Sequence, residues 1–374
     1  MTDVVVDTAS GKLRGAVANG VHVFKGVPYG ASTAGQRRFL PPRPAPAWSG
    51  VRDALEFGPI CPQRGALVDD ALADARVVGP IPKLPQSEDC LVLNVWTPAV
   101  NDGGRRPVLL WLHGRGYAAG AGSEGWYDGT NLSRRGDVVV ITINHRLNVF
   151  GYLHLADLGG EKYAGSGVAG LLDAVLALSW VRDNAAAFGG DPDNVTIFGE
   201  SGGGSKVSTL LAMPSAKGLF HKAIVQSGPS LRGVERAAAN ELSERLLAKL
   251  GIGRDQIDKL QDVPDQSLLE AISNVSLGPA GAAPMMGAGA AMRLAPVVDG
   301  TYFPRHPFDP DAAPTAAGVP LMIGSNLDEA ALFLAGDPRR RRLDEDELRK
   351  RVAPMLGDKL EQVLAAYKRT RPNA

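Results

Sequence analysis

The sequence predicts an α/β fold, with a mainly parallel, doubly wound central sheet and helices on its faces. Three observations carry this. Residues 108–112 and 138–143 are near-continuous apolar runs, as expected for strands covered on both faces. Val168, Leu171, Leu172, Val175, Leu178 and Val181 then fall at helical spacing. Finally, 195–198 reads as a short buried strand, followed by Gly199-Glu200-Ser201-Gly202-Gly203 and a helix over 205–213 that Pro214 stops.

The remaining elements follow in chain order. Residues 4–6, 13–17 and 21–27 are short strand-like runs, so the first 30 residues read as a β-ribbon. Asn19-Gly20 between the last two is a strong hairpin signal. The Pro- and Gly-rich stretch 28–60 reads as an extended wrapper, and 62–88 as a second loop. Residues 91–96 form a strand closed by Thr97-Pro98, and 223–225 another after the Ser201 helix. From 234 to 276 the pattern is helical, with Leu242, Leu246, Leu247 and Leu250 on one face, predicted to pack as a cap over the sheet edge. Residues 278–292 are low-complexity and read as a flexible loop, so 234–292 is cap and loop within one domain spanning 1–374. A last strand at 320–324 and an amphipathic helix over 345–369 complete the chain, with no internal repeat.

Composition narrows the function. At 44% hydrophobic the chain buries a large core. Forty basic and forty acidic residues leave no net charge, which argues against a nucleic-acid partner. The run at 339–342 is all arginine and is compensated at once by Asp344-Glu345-Asp346-Glu347. The N-terminus has no basic n-region and no long apolar run. We therefore expect no signal peptide, no membrane span and a cytoplasmic location, with secretion left open. Cys61 and Cys90 do not have zinc spacing. A bridge between them would contribute roughly 3–4 kcal/mol, whereas a chain without a signal would keep thiols; the sequence leaves both open. Nothing calls for a cofactor or metal, or fixes the oligomeric state.

The chemistry centres on Ser201. A G-x-S-x-G between strand and helix is a nucleophile elbow. The Gly202 N–H opens the helix and faces any developing oxyanion. His113-Gly114-Arg115-Gly116, just after the 108–112 strand, supplies further backbone donors for an oxyanion hole. A carboxylate after the 320–324 strand fits the order serine, acid, histidine, although Asn326 or Asp328 there also suits a helix cap.

Several motifs in order carry a resemblance. They are Ser87-Glu88-Asp89-Cys90-Leu91-Val92-Leu93-Asn94-Val95, His113-Gly114-Arg115-Gly116, Phe188-Gly189-Gly190-Asp191-Pro192, Gly199-Glu200-Ser201-Gly202-Gly203 and Gln226-Ser227-Gly228. Together they resemble the type B carboxylesterases, the cholinesterase-like branch of the α/β-hydrolases. The resemblance implies the α/β-hydrolase fold and a serine carboxylester hydrolase working through an acyl-enzyme. Its substrates would be small-molecule carboxylic esters, aryl esters and some carbamates. Ser201 is then the nucleophile and Glu329 the acid, with Asp328 as its alternative. Gly114, Arg115, Gly116 and Gly202 line the oxyanion hole, and Glu200 supports it. Cys61 and Cys90 resemble the family's first disulfide pair.

Two departures stand out. The family has glycine where Arg115 stands, and a positive φ there would cost about 1 kcal/mol. Its side chain is expected to narrow the pocket or attract an anionic substrate. The family's histidine also comes well after the acid, and none of the six histidines here follows Glu329. These features predict the front part of an esterase, with a sheet edge left open after 320–324 and impaired hydrolysis. The alternative is a non-catalytic interaction protein, or an inactive fragment, on the same scaffold.

Overall fold

Asn19 and Gly20 have φ of 54° and 75°, the pair of left-handed residues that a type I′ hairpin turn needs. In the computed structural model, which describes residues 2–64, 84–275, 294–329, 331 and 344–371, this turn joins β2 (Gly11–Ala18) to β3 (Val21–Pro28). The arginine run at 339–342 and the loop at 278–292 lie outside the described residues.

The N-terminal ribbon is not a separate layer. With β1 (Thr2–Thr8), β4 (Val51–Asp53), β5 (Val92–Thr97), β6 (Arg106–Leu112), β7 (Val139–Ile143), β8 (Gly190–Glu200), β9 (Lys222–Gln226) and β10 (Leu321–Gly324), it makes one ten-stranded sheet. The order is β1-β2-β3-β5-β7-β6-β8-β9-β10, with β4 paired to β2. From β7 to β10 the pairing is parallel, and from β1 through β5 to β7 it is antiparallel. The sheet is thus mixed, because β3 reaches β5 edge to edge and extends the parallel core instead of folding over it.

The parallel half sets the site. After β6 the chain steps to β7 on one side, then crosses to β8 on the other, so the winding reverses at β6. The crevice beyond the carboxyl ends of β6 and β8 is where ligands bind in open α/β sheets. Leu112 at the end of β6 pairs with Gly199 at the end of β8, so His113 and Ser201 leave the sheet side by side.

Among the described residues the α-helices are α1 (Thr130–Gly136), α2 (Asn148–Tyr152), α3 (Ala156–Gly159), α4 (Ala169–Asn184), α5 (Gly202–Leu211), α6 (Arg236–Leu250), α7 (Asp265–Ser273), α8 (Glu345–Leu356) and α9 (Leu360–Thr370). The stretch Glu161–Phe188, which includes α4, is long and apolar enough by composition to cross a membrane, but 78% of its most apolar window is buried inside the fold. It is a core helix, with Leu171, Leu178 and Val181 under the sheet.

Helices α6 and α7 of the expected cap pack beside α2 and α3. Ser243 Oγ donates to the His154 carbonyl at 2.6 Å, and the Tyr163 hydroxyl donates to Asp258 at 2.7 Å. The apolar face Leu242, Leu246, Leu247 joins the main core there. The predicted helix at 345–369 is two helices, broken at Gly357, whose φ is 48°. Strand β10 is the sheet edge and is exposed along its length, so the edge after 320–324 is open among the described residues.

Candidate active site

Ser201 sits between β8 and α5 with φ 55° and ψ −119°. That is a strained conformation for a residue with a side chain, and its surroundings enforce it. The Ser201 N–H donates to the Gln226 carbonyl at 2.9 Å, and its own carbonyl accepts from Ser205 N at 3.1 Å. Two glycines make room. A Cβ on Gly203 would lie 2.0 Å from the Leu112 carbonyl oxygen, and one on Gly202 would lie 2.4 Å from the Gly116 backbone. Only residues without a Cβ let the elbow touch the turn after β6, backbone to backbone.

That turn carries the other predicted donors. Gly114 faces Glu200 and Ser201, and Gly116 lies on Gly202. Arg115 has φ 62° and Gly116 also 62°, so Arg115 bears the strain that the sequence suggested. Its guanidinium has a partner inside the fold. It is held by the fully buried Glu124 carboxylate, with Nη2 donating to Oε2 at 3.2 Å and Nε to Oε1 at 3.2 Å. Glu124 also accepts from the Ala121 N–H and from Trp126 Nε1. We expect Arg115→Gly to lower stability by about 2–4 kcal/mol. Stranding a buried carboxylate costs more than relief of the left-handed backbone returns. Its rate on a neutral ester per folded molecule should stay within about threefold of the parent, since the backbone donor remains. Denaturant melts and initial rates measure both, and a large loss of rate would make the guanidinium itself a participant.

Glu329 follows β10 in the predicted place. Its carboxylate accepts from the Asn326 N–H at 2.6 Å. A hydrogen bond from the Ser227 hydroxyl, then that N–H, hold its pKa below the usual carboxylate value. Ser227 is the link the sequence reading did not assign. Its N–H donates to the Gly324 carbonyl, which ties the Ser201 side of the sheet to β10, and a Cβ on the next residue, Gly228, would meet the Ser201 carbonyl oxygen at 2.0 Å. Glu329 thereby stands over the same crevice as Ser201. Partial desolvation, with the Glu329 charge second, raises the Glu200 pKa. Among the described residues Asp328 has no such hydrogen bonds, so hydrogen bonding distinguishes Glu329 from it.

Five of the six histidines have side-chain partners away from Ser201. His113 Nδ1 donates to the Gly114 carbonyl, and its ring stacks on His145 with centroids 4.9 Å apart. His145 Nδ1 donates to the Arg146 carbonyl. Burial first, then the Lys206 charge, push both pKa values well below the ordinary histidine value, so both rings are neutral. His154 meets Asp157, and His221 accepts from the Val195 N–H. His306 accepts from Gly233 N and faces Glu235. His22 lies in β3. None hydrogen-bonds the Ser201 hydroxyl.

Cys61 and Cys90 are separate buried thiols, so the bridge implied by the resemblance is not formed. Cys61 Sγ accepts the Leu147 N–H at 3.3 Å, and a hydrogen bond with Cys61, then burial, push the Cys90 thiol pKa up. Among the described residues no group of His, Cys, Asp and Glu is arranged to hold a metal.

The geometry of elbow, turn and following carboxylate has counterparts among known proteins. Residues 2–371 match the model of the carboxylesterase family. The chain belongs to that family. Para-nitrobenzyl esterase of Bacillus subtilis is 42% identical over 340 residues, covering 90% of this chain and 65% of that protein. Liver carboxylesterase 1 of Oryctolagus cuniculus is 35% identical, covering 94% of this chain and 63% of its own length. The crystal structure of a Geobacillus stearothermophilus carboxylesterase superposes with a TM-score of 0.82 at 44% identity, over 99% of this chain and 71% of that one. The fold is therefore that of the carboxylesterases, and the chain spans about two thirds of the length of the curated relatives it matches.

Proposed function

We propose that this carboxylesterase-family chain is a serine carboxylester hydrolase for small-molecule esters. The single observation that supports it most is Ser201, held at φ 55° and ψ −119° against the Gly116 backbone. No structural need explains a strained serine there, and an exposed nucleophile does. In this reading the Ser201 oxygen attacks the ester carbonyl. The alcohol leaves and an acyl-enzyme remains, which water then hydrolyses. The N–H groups of Arg115, Gly116 and Gly202 receive the oxyanion, Gly202 with the favourable end of the α5 dipole behind it. Glu329 orients a base, and Glu200 supports the crevice. Activity toward para-nitrobenzyl esters, in the name of one relative, makes aryl-bearing esters the first substrates to try.

The base is the weak point of this machinery. With none of the six imidazoles hydrogen-bonded to the Ser201 hydroxyl, we propose that acylation by the chain alone is impaired; losing the histidine of a serine triad costs about 10⁶ in turnover in the best-studied case. The test is 4-nitrophenyl acetate hydrolysis by the chain and by Ser201→Ala. A slow rate above background that disappears in Ser201→Ala supports the reading. Equal rates in the two proteins would favour a non-catalytic role on the same scaffold. Fast turnover dependent on Ser201 would mean that one of the six histidines serves after all.

A further inference from the structure

The helix that follows the nucleophile contains a lysine with no role in the chemistry above. Lys206 is in the second turn of α5, amid Gly203, Gly204, Val207 and Ser208, all buried, and is itself 1% exposed. Taking an ammonium group out of water is costly unless it is paired and hydrogen-bonded. Lys206 is positioned by one strong contact: Nζ donates to the His113 carbonyl at 2.8 Å. The ammonium also lies 5.8 Å from the centroid of the Tyr117 ring. The groups facing it are the neutral rings of His113 and His145, the Tyr117 phenol and the buried Glu124 carboxylate with its Arg115 partner.

The His113 carbonyl is the first acceptor of the oxyanion turn. It shares a planar trans peptide with the Gly114 N–H, and in such a peptide the two groups point in opposite directions. A contact that fixes one fixes the other. The other side faces the phenol of Tyr127, near enough for the Gly114 backbone to favour its ionised form. That phenol is packed on Trp111 of β6 at 5.1 Å between centroids. The peptide 113–114 thus lies between α5, which holds its carbonyl, and the 125–127 turn.

We propose that Lys206 is a positioning residue for the oxyanion hole: its buried ammonium, opposed by Tyr127, pins the 113–114 peptide so that the next two N–H groups, of Arg115 and Gly116, stay aimed at Ser201. It rests on the ester-hydrolase reading only for its consequence on rate. The Arg115–Glu124 pair belongs to the same device. Glu124 is the buried anion that offsets the Lys206 charge, and it holds the side chain of the strained residue out of the crevice.

The charge has a signature of its own. Burial lowers the Lys206 pKa to about 7, against the Glu124 charge that raises it. The unfolded chain keeps an ordinary lysine near 10.5, so between these values it binds a proton that the folded chain does not. Stability of the parent therefore rises with pH across that window. Lys206→Met, which has similar length and no charge, lacks this dependence. The difference in stability between Lys206→Met and the parent should shift in favour of the parent as pH rises from about 7 to about 10.

The deciding experiment is backbone hydrogen exchange on the whole chain, parent against Lys206→Met, with Tyr127→Phe as a second variant that releases the peptide from its other side. Exchange in peptides covering 113–117 should speed up by tenfold or more in each variant, while β7 and α4 stay as in the parent. Unchanged exchange at 113–117 in a folded Lys206→Met overturns the proposal and leaves Lys206 as a space-filler. If Lys206→Met does not fold, unchanged exchange in Tyr127→Phe overturns it equally. The Ser201-dependent rate of parent over Lys206→Met, measured from pH 6 to 9, should fall as pH rises through 7, whereas a flat ratio fits packing alone. Faster exchange with no Ser201-dependent rate in any protein would sink the ester-hydrolase reading and keep the pinning.

Discussion

Asp173→Ala will destabilise the fold by about 3–5 kcal/mol, the loss expected when one member of a buried ion pair is removed and the other is stranded. Asp173 on α4 is fully buried and Arg146, at the exit of β7, nearly so. The carboxylate accepts from Arg146 Nε at 2.8 Å, from Nη2 at 2.6 Å and from the Arg146 backbone N–H at 2.9 Å. The remaining guanidinium nitrogen donates to the Leu40 carbonyl at 2.8 Å. One carboxylate therefore joins the core helix, the strand exit beside the site and the wrapper at 28–60. Without it a guanidinium stays in the core, hydrogen-bonded but with no counter-charge. Urea unfolding measures the shift, and the double variant Arg146→Met with Asp173→Leu should recover most of it, since volume is kept and no charge is left behind. A loss below 1 kcal/mol in the single variant would show that water reaches Arg146.

Much of this was legible in the sequence, for identifiable reasons. The elbow was readable because its geometry needs glycine on both sides of Ser201, and glycine is a visible choice. The parallel core was readable because strands covered on both faces have no polar alternation, as at 139–143. Glu329 was placed through the resemblance and then found with hydrogen bonds suited to a carboxylate. What stayed hidden depended on long-range contacts. The ribbon's continuity with the sheet rests on β3 meeting β5 some 70 residues later. The packing of α6 and α7 against α2 and α3 depends on partners such as His154 and Asp157 that carry no local signal. Arg115 was visible as a departure, but its partner Glu124 is set nine residues on by a loop whose shape no periodicity encodes. Lys206 did leave a signal, a lone charge in a run of Gly, Ser, Val and Thr with no polar face to point toward. Such a residue is either paired in the core or wrong for the helix, and here it is paired.

The largest effect expected in function comes from supplying an imidazole from solution. Imidazole at tens of millimolar should raise the Ser201-dependent hydrolysis of 4-nitrophenyl acetate by about 10²-fold, the lower end of what a positioned general base contributes. The reasoning starts from what is already in place. Ser201 is strained and presented at the reversal of the sheet. Gly114 faces it, and the Gly116 and Gly202 backbones are packed on each other beside it. Glu329 stands across the crevice with its pKa held down by the Ser227 hydroxyl and the Asn326 N–H, so it is a carboxylate throughout the neutral range and able to accept an imidazole N–H. The gain should grow between pH 6 and 8, as imidazole with its pKa near 7 loses its proton and becomes a base. Glu329→Gln should keep the fold and remove about tenfold of the gain, because an amide orients an imidazole but does not stabilise its cation. Free imidazole also attacks the ester directly, so the measured quantity is the difference between the chain and Ser201→Ala at equal imidazole. If Ser201→Ala responds as strongly as the parent, imidazole is acting in solution, and Ser201 is not the nucleophile that its backbone geometry describes.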